Sequence, residues 1–168
     1  DWRNCALILQ KRAELCVEEF EQVSAWFRVA EVAHERLDDS EMLHSALGKV
    51  LEVDPKNLDA MQQLEESYDA CEMWEDKVGL LLQRLESTSD TYEQGDLFDS
   101  IAGLFEEKLG SVDSAFEVYL QAFEATQDEE RFGGNLARLA KLPEQWEQVV
   151  SLYEKILGGG STRMDQID

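Results

Sequence analysis

Three stretches decide the fold: WRNCALILQKR at 2–12, WEDKVGLLLQR at 74–84 and WEQVVSLYEKI at 146–156. Each opens on a tryptophan, and Trp2, Trp74 and Trp146 stand 72 residues apart, twice. Working outward, other features keep that offset without a gap. Val29-Ala30 answers Ile101-Ala102, and Glu35-Arg36-Leu37 answers Glu107-Lys108-Leu109. Phe20-Glu21-Gln22 answers Tyr92-Glu93-Gln94 and then Met164-Asp165-Gln166. So many matches at one ungapped offset mark a duplication.

The 72-residue unit divides again. Val29, Leu64, Ile101 and Leu136 start similar segments, 35, 37 and 35 residues apart. A period near 35 is the length of one helix–turn–helix pair. The segments ending Glu-Arg-Leu-Asp and Glu-Lys-Leu-Gly run one residue longer than the segment ending at Cys71. Two kinds of hairpin therefore alternate.

Local patterns are helical. Phe98, Ile101, Ala102, Phe105 and Leu109 fall at i, i+3, i+4 and i+7 spacing, one face of an amphipathic helix. Ala115, Phe116, Val118, Tyr119, Ala122 and Phe123 form a broader apolar face. Asp54-Pro55 and Pro143 read as helix starts, Thr126-x-x-Glu129 as a capping box, and Gly110 as a left-handed stop. Asp38-Asp39-Ser40-Glu41 reads as a capped turn rather than a metal-binding run. The pattern predicts nine helices, at about 2–14, 18–37, 40–52, 55–71, 73–86, 91–109, 112–125, 128–141 and 143–157. The expected fold is all-α, an α-solenoid of antiparallel helix–turn–helix pairs.

Charge and composition exclude several functions. The 168 residues carry 37 Asp plus Glu against 15 Lys plus Arg, a net charge of −22. Such a surface repels a phosphate backbone and anionic lipid alike, so neither nucleic acid nor membrane is an expected partner. No window approaches the roughly 20 apolar residues of a membrane span. Cys5, Cys16 and Cys71 form no C-x-x-C and no disulfide framework, which suits a reducing compartment such as the cytoplasm. His34 and His44 are the only histidines, in consecutive helices, and lack metalloprotease spacing. Neighbouring acids such as Glu106-Glu107 point about 100° apart on a helix and cannot face each other across a cleft. Gly158-Gly159-Gly160 follows no strand and precedes no Lys-Ser/Thr, so it reads as a linker or breaker rather than a phosphate loop. No catalytic residue, metal site or cofactor is expected. Repeat-locked Trp26, Trp74 and Trp146 are expected between helices rather than on a ligand.

The segments resemble tetratricopeptide repeats. Trp26, Val29, Ala30, Ala33, Leu43, Leu47 and Pro55 fall at that family's spacings. So do Phe98, Ile101, Ala102, Phe105, Ala115, Tyr119 and Ala122, apart from one added residue in the turn. The copy around Met61, Leu64 and Tyr68 departs from it, with Glu65 and Lys77 where small residues belong, and Gly133 replaces a bulky residue in the last copy. The resemblance covers about 20–157 and implies a right-handed superhelix. On this division a half repeat spans 1–17, repeats span about 18–54, 55–89, 90–126 and 127–158, and a tail spans 159–168. A first stretch with second-helix character, and a final Arg163-Met164-Asp165-Gln166 that resembles the start of a first helix, suggest one helical-repeat domain cut from a longer array.

In that family the first helix of each pair lines a concave groove. Carried over, the resemblance places Phe27, Glu31 and His34 on the groove from the first full pair. Asp59, Gln62, Glu66 and Asp69 follow from the second, Asp99 and Glu106 from the third, and Arg131, Asn135 and Arg138 from the fourth. The Lys/Asn set that clamps a C-terminal carboxylate in chaperone-binding members is not reproduced. Residues 85–130 hold 13 acids and one base, so the groove is expected to be acidic in its middle and basic at its last pair. The expected function is a protein–protein interaction scaffold that binds a basic or dipolar protein segment and performs no catalysis. The alternative is a fragment of an all-α enzyme or small-ligand-binding protein such as an α/α toroid, which needs more hairpins than are present. Self-association through exposed terminal helices is a third, structural expectation.

Overall fold

A computed structural model describes the backbone of residues 1–161 and the side chains of residues 1–158. Nine α-helices, and no strand, occur among the described residues. They are α1 (Trp2–Leu15), α2 (Glu19–Val32), α3 (Ser40–Val53), α4 (Leu58–Ala70), α5 (Trp74–Ser87), α6 (Thr91–Gly103), α7 (Val112–Thr126), α8 (Glu129–Leu139) and α9 (Pro143–Ser161). The chain divides into two compact units, Asp1–Leu80 and Leu81–Asp168, with the boundary inside α5. In unit 1, α1 packs on α2, α2 on α3 and α3 on α4. In unit 2, α6 packs on α7, and α7 packs on α8 and α9.

Most starts are set by a short polar side chain that accepts from an otherwise unpaired N–H of the first turn. Asp39 Oδ1 accepts from Met42 N (3.0 Å), Asn57 Oδ1 from Ala60 N (3.1 Å), Asp90 Oδ1 from Glu93 N (2.9 Å) and Asp128 Oδ1 from Arg131 N (3.0 Å). Two of these correct the sequence expectation. Asp54 ends α3 instead of opening α4, accepting from Asn57 Nδ2 (2.9 Å), while Asn57 supplies the cap. Thr126 opens no capping box; its hydroxyl donates back to the Ala122 carbonyl (2.7 Å), and Asp128 caps α8 with a charged acceptor. Pro143 opens α9 as expected, but the helix runs through the three glycines to Ser161. Met164-Asp165-Gln166 lies outside the described residues.

The extra residue of alternate hairpins has a physical form. α2 continues into a π-helical turn at Ala33–Leu37, and α6 continues into one at Leu104–Lys108. A π turn holds one more residue than the α-turn it replaces. The chain then stops on a left-handed residue, Asp38 (φ 52°) in one copy and Gly110 (φ 65°) in the other, again 72 apart. α4 ends without a π turn, and its left-handed residue Glu72 comes one place earlier relative to Leu64. The C-terminal stop at Gly110 is the one expected.

Each unit has its own apolar core. In unit 1 Trp26, Val29 and Ala30 of α2 meet Leu43, Leu47 and Val50 of α3, and Met61 and Leu64 of α4. In unit 2 Phe98, Ile101 and Ala102 are buried with Phe116, Tyr119 and Phe123 of α7, and Phe132 and Leu136 of α8. Each large side chain so buried contributes about 1.5–3 kcal/mol. Ala30, Ala102 and Ala115 are buried, as small residues at close helix crossings should be. Of the tryptophans, Trp26 is in the core, whereas Trp146 is 45% exposed. The half-exposed Trp2 is covered on one face by the Arg36 guanidinium, 5.1 Å from the ring centroid. The three cysteines are free thiols.

Candidate functional site

In unit 1 the groove side chains expected from α2 and α4 line three adjoining clefts. Phe27, Glu31 and His34 border one of about 400 Å³. Phe27 also borders a second, of about 320 Å³, with Asp59 and Gln62. His34 and Glu66 border a third, of about 250 Å³, which the Asp38-Asp39-Ser40 turn also lines. Gln63, absent from the sequence-based set, touches all three. Its signal was available: it precedes Leu64 and lies one turn from Asp59 on the same helix. Glu66 accepts from Gln62 Nε2 (2.9 Å), and Glu31 pairs with Arg28 (2.8 Å). Asp69 departs from the set, because Lys77 Nζ holds it at 2.6 Å. Asp59 has no ion-pair partner among the described residues.

The two histidines do not meet. His34 lines the clefts, while His44 Nε2 lies 2.7 Å from Ser67 Oγ and 4.8 Å, centroid to centroid, from the Tyr68 ring. Burial pushes the His44 imidazole below its ordinary value, against an opposing pull from Asp76. The hydrogen bond between this ring and a serine on the next helix ties α3 to α4. Among the described residues, no group of three His, Cys, Asp or Glu side chains is arranged to hold a metal ion. Within them, no helix is long and apolar enough to cross a membrane.

In unit 2 the expected acids and the expected bases pair with one another. Arg131 Nε donates to Asp99 Oδ2 (2.6 Å), and Arg131 Nη2 to Asp96 Oδ1 (2.6 Å). Arg138 grips Glu106 with two parallel bonds, Nη1 to Oε1 (2.5 Å) and Nη2 to Oε2 (2.9 Å), and its Nη2 also donates to Asn135 Oδ1 (3.2 Å). This fork-to-carboxylate geometry is the strong form of an ion pair. It holds the Glu106 carboxyl below its ordinary range and raises the Arg138 guanidinium. Arg131 has a prepared seat. A Cβ on Gly95 would come within 2.7 Å of its Nη1, so any larger residue would make the guanidinium shift. The Phe132 and Tyr92 rings lie 5.5 and 5.8 Å from its Cζ. Gly95 and Asp96 were missed in the sequence. The clue was the shared separation of 32 residues between Asp99 and Arg131 and between Glu106 and Arg138.

Placed on the 72-residue repeat, the two units become directly comparable. Phe27 stands where Asp99 stands, His34 where Glu106 does, Asp59 where Arg131 does, Gln63 where Asn135 does and Glu66 where Arg138 does. Val23 takes the place of Gly95. Compared with known protein families and with curated proteins, the chain matches no family model and no curated protein.

Proposed function

We propose that the chain is a tetratricopeptide-like helical-repeat scaffold that binds a basic or dipolar segment of another protein and performs no catalysis. The observation that carries this reading is the run of open clefts along α2 and α4 of unit 1, where a half-buried aromatic ring, Phe27, shares one cleft with Asp59, and Glu66 borders the next. Open, polar-rimmed clefts of this kind suit an extended protein contact better than an enclosed small-molecule pocket. The excess of negative charge supports a basic partner, which it would steer toward the surface at a salt-sensitive rate.

A photo-crosslinking amino acid at position 63 tests the reading. It is introduced into the full chain, the chain is exposed to lysate of its source organism, and captured proteins are identified by mass spectrometry. The expected result is one or a few proteins crosslinked at 63 and not from a probe at Glu117, with capture that weakens as salt rises. Equal capture at both positions, or none at 63, would overturn the scaffold reading.

A further inference from the structure

We propose that unit 1 receives two cationic side chains of a partner helix, one at Asp59 and one at Glu66, in the way that unit 2 receives its own Arg131 and Arg138. The inference rests on the scaffold reading only in taking the occupant to be a protein segment.

The repeat supplies the template. In unit 2, two arginines seven residues apart on α8 reach carboxylates of α6 and its π turn, and their guanidinium groups bridge those elements. In unit 1 the same two α4 positions hold Asp59 and Glu66, and among the described residues neither has an ion-pair partner. The corresponding space is open: the cleft at Phe27 and Asp59, and the cleft at His34 and Glu66. One copy of the duplicated unit thus carries its cations within itself. The other carries carboxylates beside empty space.

The chemistry of the open site matches the missing group. In unit 2 a guanidinium lies between carboxylates and against the Phe132 and Tyr92 rings. In unit 1 Asp59 and Phe27 line the same cleft, so a guanidinium entering it would meet a carboxylate and an aromatic ring together. Arginine satisfies both contacts; lysine offers a point charge without the planar fork. Spacing restricts the occupant further. Asp59 and Glu66 are two helical turns apart, about 10.5 Å along α4. A helix laid alongside matches that distance with basic residues at i and i+7, the spacing of Arg131 and Arg138 themselves.

The test uses the full chain and two fluorescein-labelled alanine-glutamine helical peptides of equal charge. One carries arginines seven residues apart, on one face. The other carries them five apart, about 140° from one another around the helix. Binding is read by anisotropy. The seven-apart peptide should bind about tenfold tighter than the five-apart one, and Asp59→Arg/Glu66→Arg should lower its affinity by about tenfold or more. The control Glu117→Arg/Glu147→Arg changes the net charge by the same amount at exposed sites elsewhere, and should cost less than about threefold. Asp59→Asn/Glu66→Gln keeps the side-chain shapes and should show the same loss, which guards against misfolding of the arginine variant; circular dichroism checks both. Equal binding of the two peptides, or equal loss in groove and control variants, would mean attraction to bulk charge and would overturn the proposal. The crosslink at position 63 is read separately. A captured protein together with undiscriminated peptides removes the paired-cation site and leaves the scaffold. Discriminated peptides with no captured protein keep the site and remove the scaffold.

Discussion

Unit 1 and unit 2 are two copies of one pattern, and they differ in opposite ways inside and outside. Inside, volume is conserved while position moves. Ala60-Met61 of unit 1 becomes Phe132-Gly133 in unit 2. The large side chain moves to the neighbouring position, which a close-packed core tolerates because the total is kept. Outside, the sign of charge inverts: Asp59 and Glu66 answer Arg131 and Arg138. The core of a duplicated hairpin is constrained by what must be filled. Its face is constrained only by what it meets, so divergence there is informative about binding.

The largest expected effect breaks the interior half of this comparison. Phe132 is fully buried, and its unit 1 counterpart is an alanine. Phe132→Ala should nevertheless cost about 3–5 kcal/mol in urea unfolding, because Gly133 supplies none of the bulk that Met61 supplies next to Ala60. Adding Gly133→Met should recover little, since a Cβ at 133 already comes within 3.1 Å of the Tyr153 hydroxyl.

Next comes the exterior half. Arg131→Asp with Arg138→Glu gives unit 2 the charge pattern of unit 1. Loss of the ion pairs made by Arg131 and Arg138 should cost about 1–3 kcal/mol. The same change should open a second site, so that the paired-arginine peptide binds with a stoichiometry of two instead of one in calorimetry. An unchanged stoichiometry would separate the two units' faces. Gly95→Val, the unit 1 residue, should act more mildly. It displaces the guanidinium and should cost about 1 kcal/mol, an effect that disappears when Arg131 is already alanine in a double-mutant cycle.

The smallest effect concerns the tie that only unit 1 has. His44 and Ser67 correspond to Phe116 and Leu139. Replacing both, as His44→Phe with Ser67→Leu, should stay within about 1 kcal/mol, whereas Ser67→Ala alone leaves the imidazole without its partner. The pH dependence is the sharper readout. Burial holds the folded His44 below its unfolded value of 6.5, so the unfolded chain binds the proton more readily. Stability from this group is therefore complete above 6.5 and falls as pH drops toward the folded value. Urea midpoints between pH 5 and 7 should show that fall in the wild-type chain, and less of it in the double variant.

Much of this was legible in the residues. Helix number, helix order and the 72-residue offset follow from apolar spacing and capping residues, which are local. The start of α4 slipped by three residues because Asp54-Pro55 and Asn57 compete to open it, and the winner depends on which acceptor lies within reach of Ala60 N. Phe27, His34, Asp59 and Glu66 come together because each sits at the same phase of its helix. The pairing of Asp99 with Arg131 and Glu106 with Arg138 was missed for a different reason. An arginine reaches across to a neighbouring helix, and a reading by linear spacing assigned the two signs to separate parts of a groove. Gly158-Gly159-Gly160 reads as a linker or breaker by its context, yet α9 runs through all three, although each glycine disfavours a helix by about 1 kcal/mol.

The π turns at Ala33–Leu37 and Leu104–Lys108 also set an order of events. A residue added to an α-helix would swing everything beyond it through about 100°; a π turn absorbs the addition where it occurs, and the next helix keeps its facing. Both copies carry the feature at matching places, and α4 lacks it. The inequality between alternate hairpins was therefore already present when the 72-residue unit was copied, and the reversal of charge at Asp59 and Arg131 came after. The backbone irregularity is the older trait of this chain, and its face is the younger.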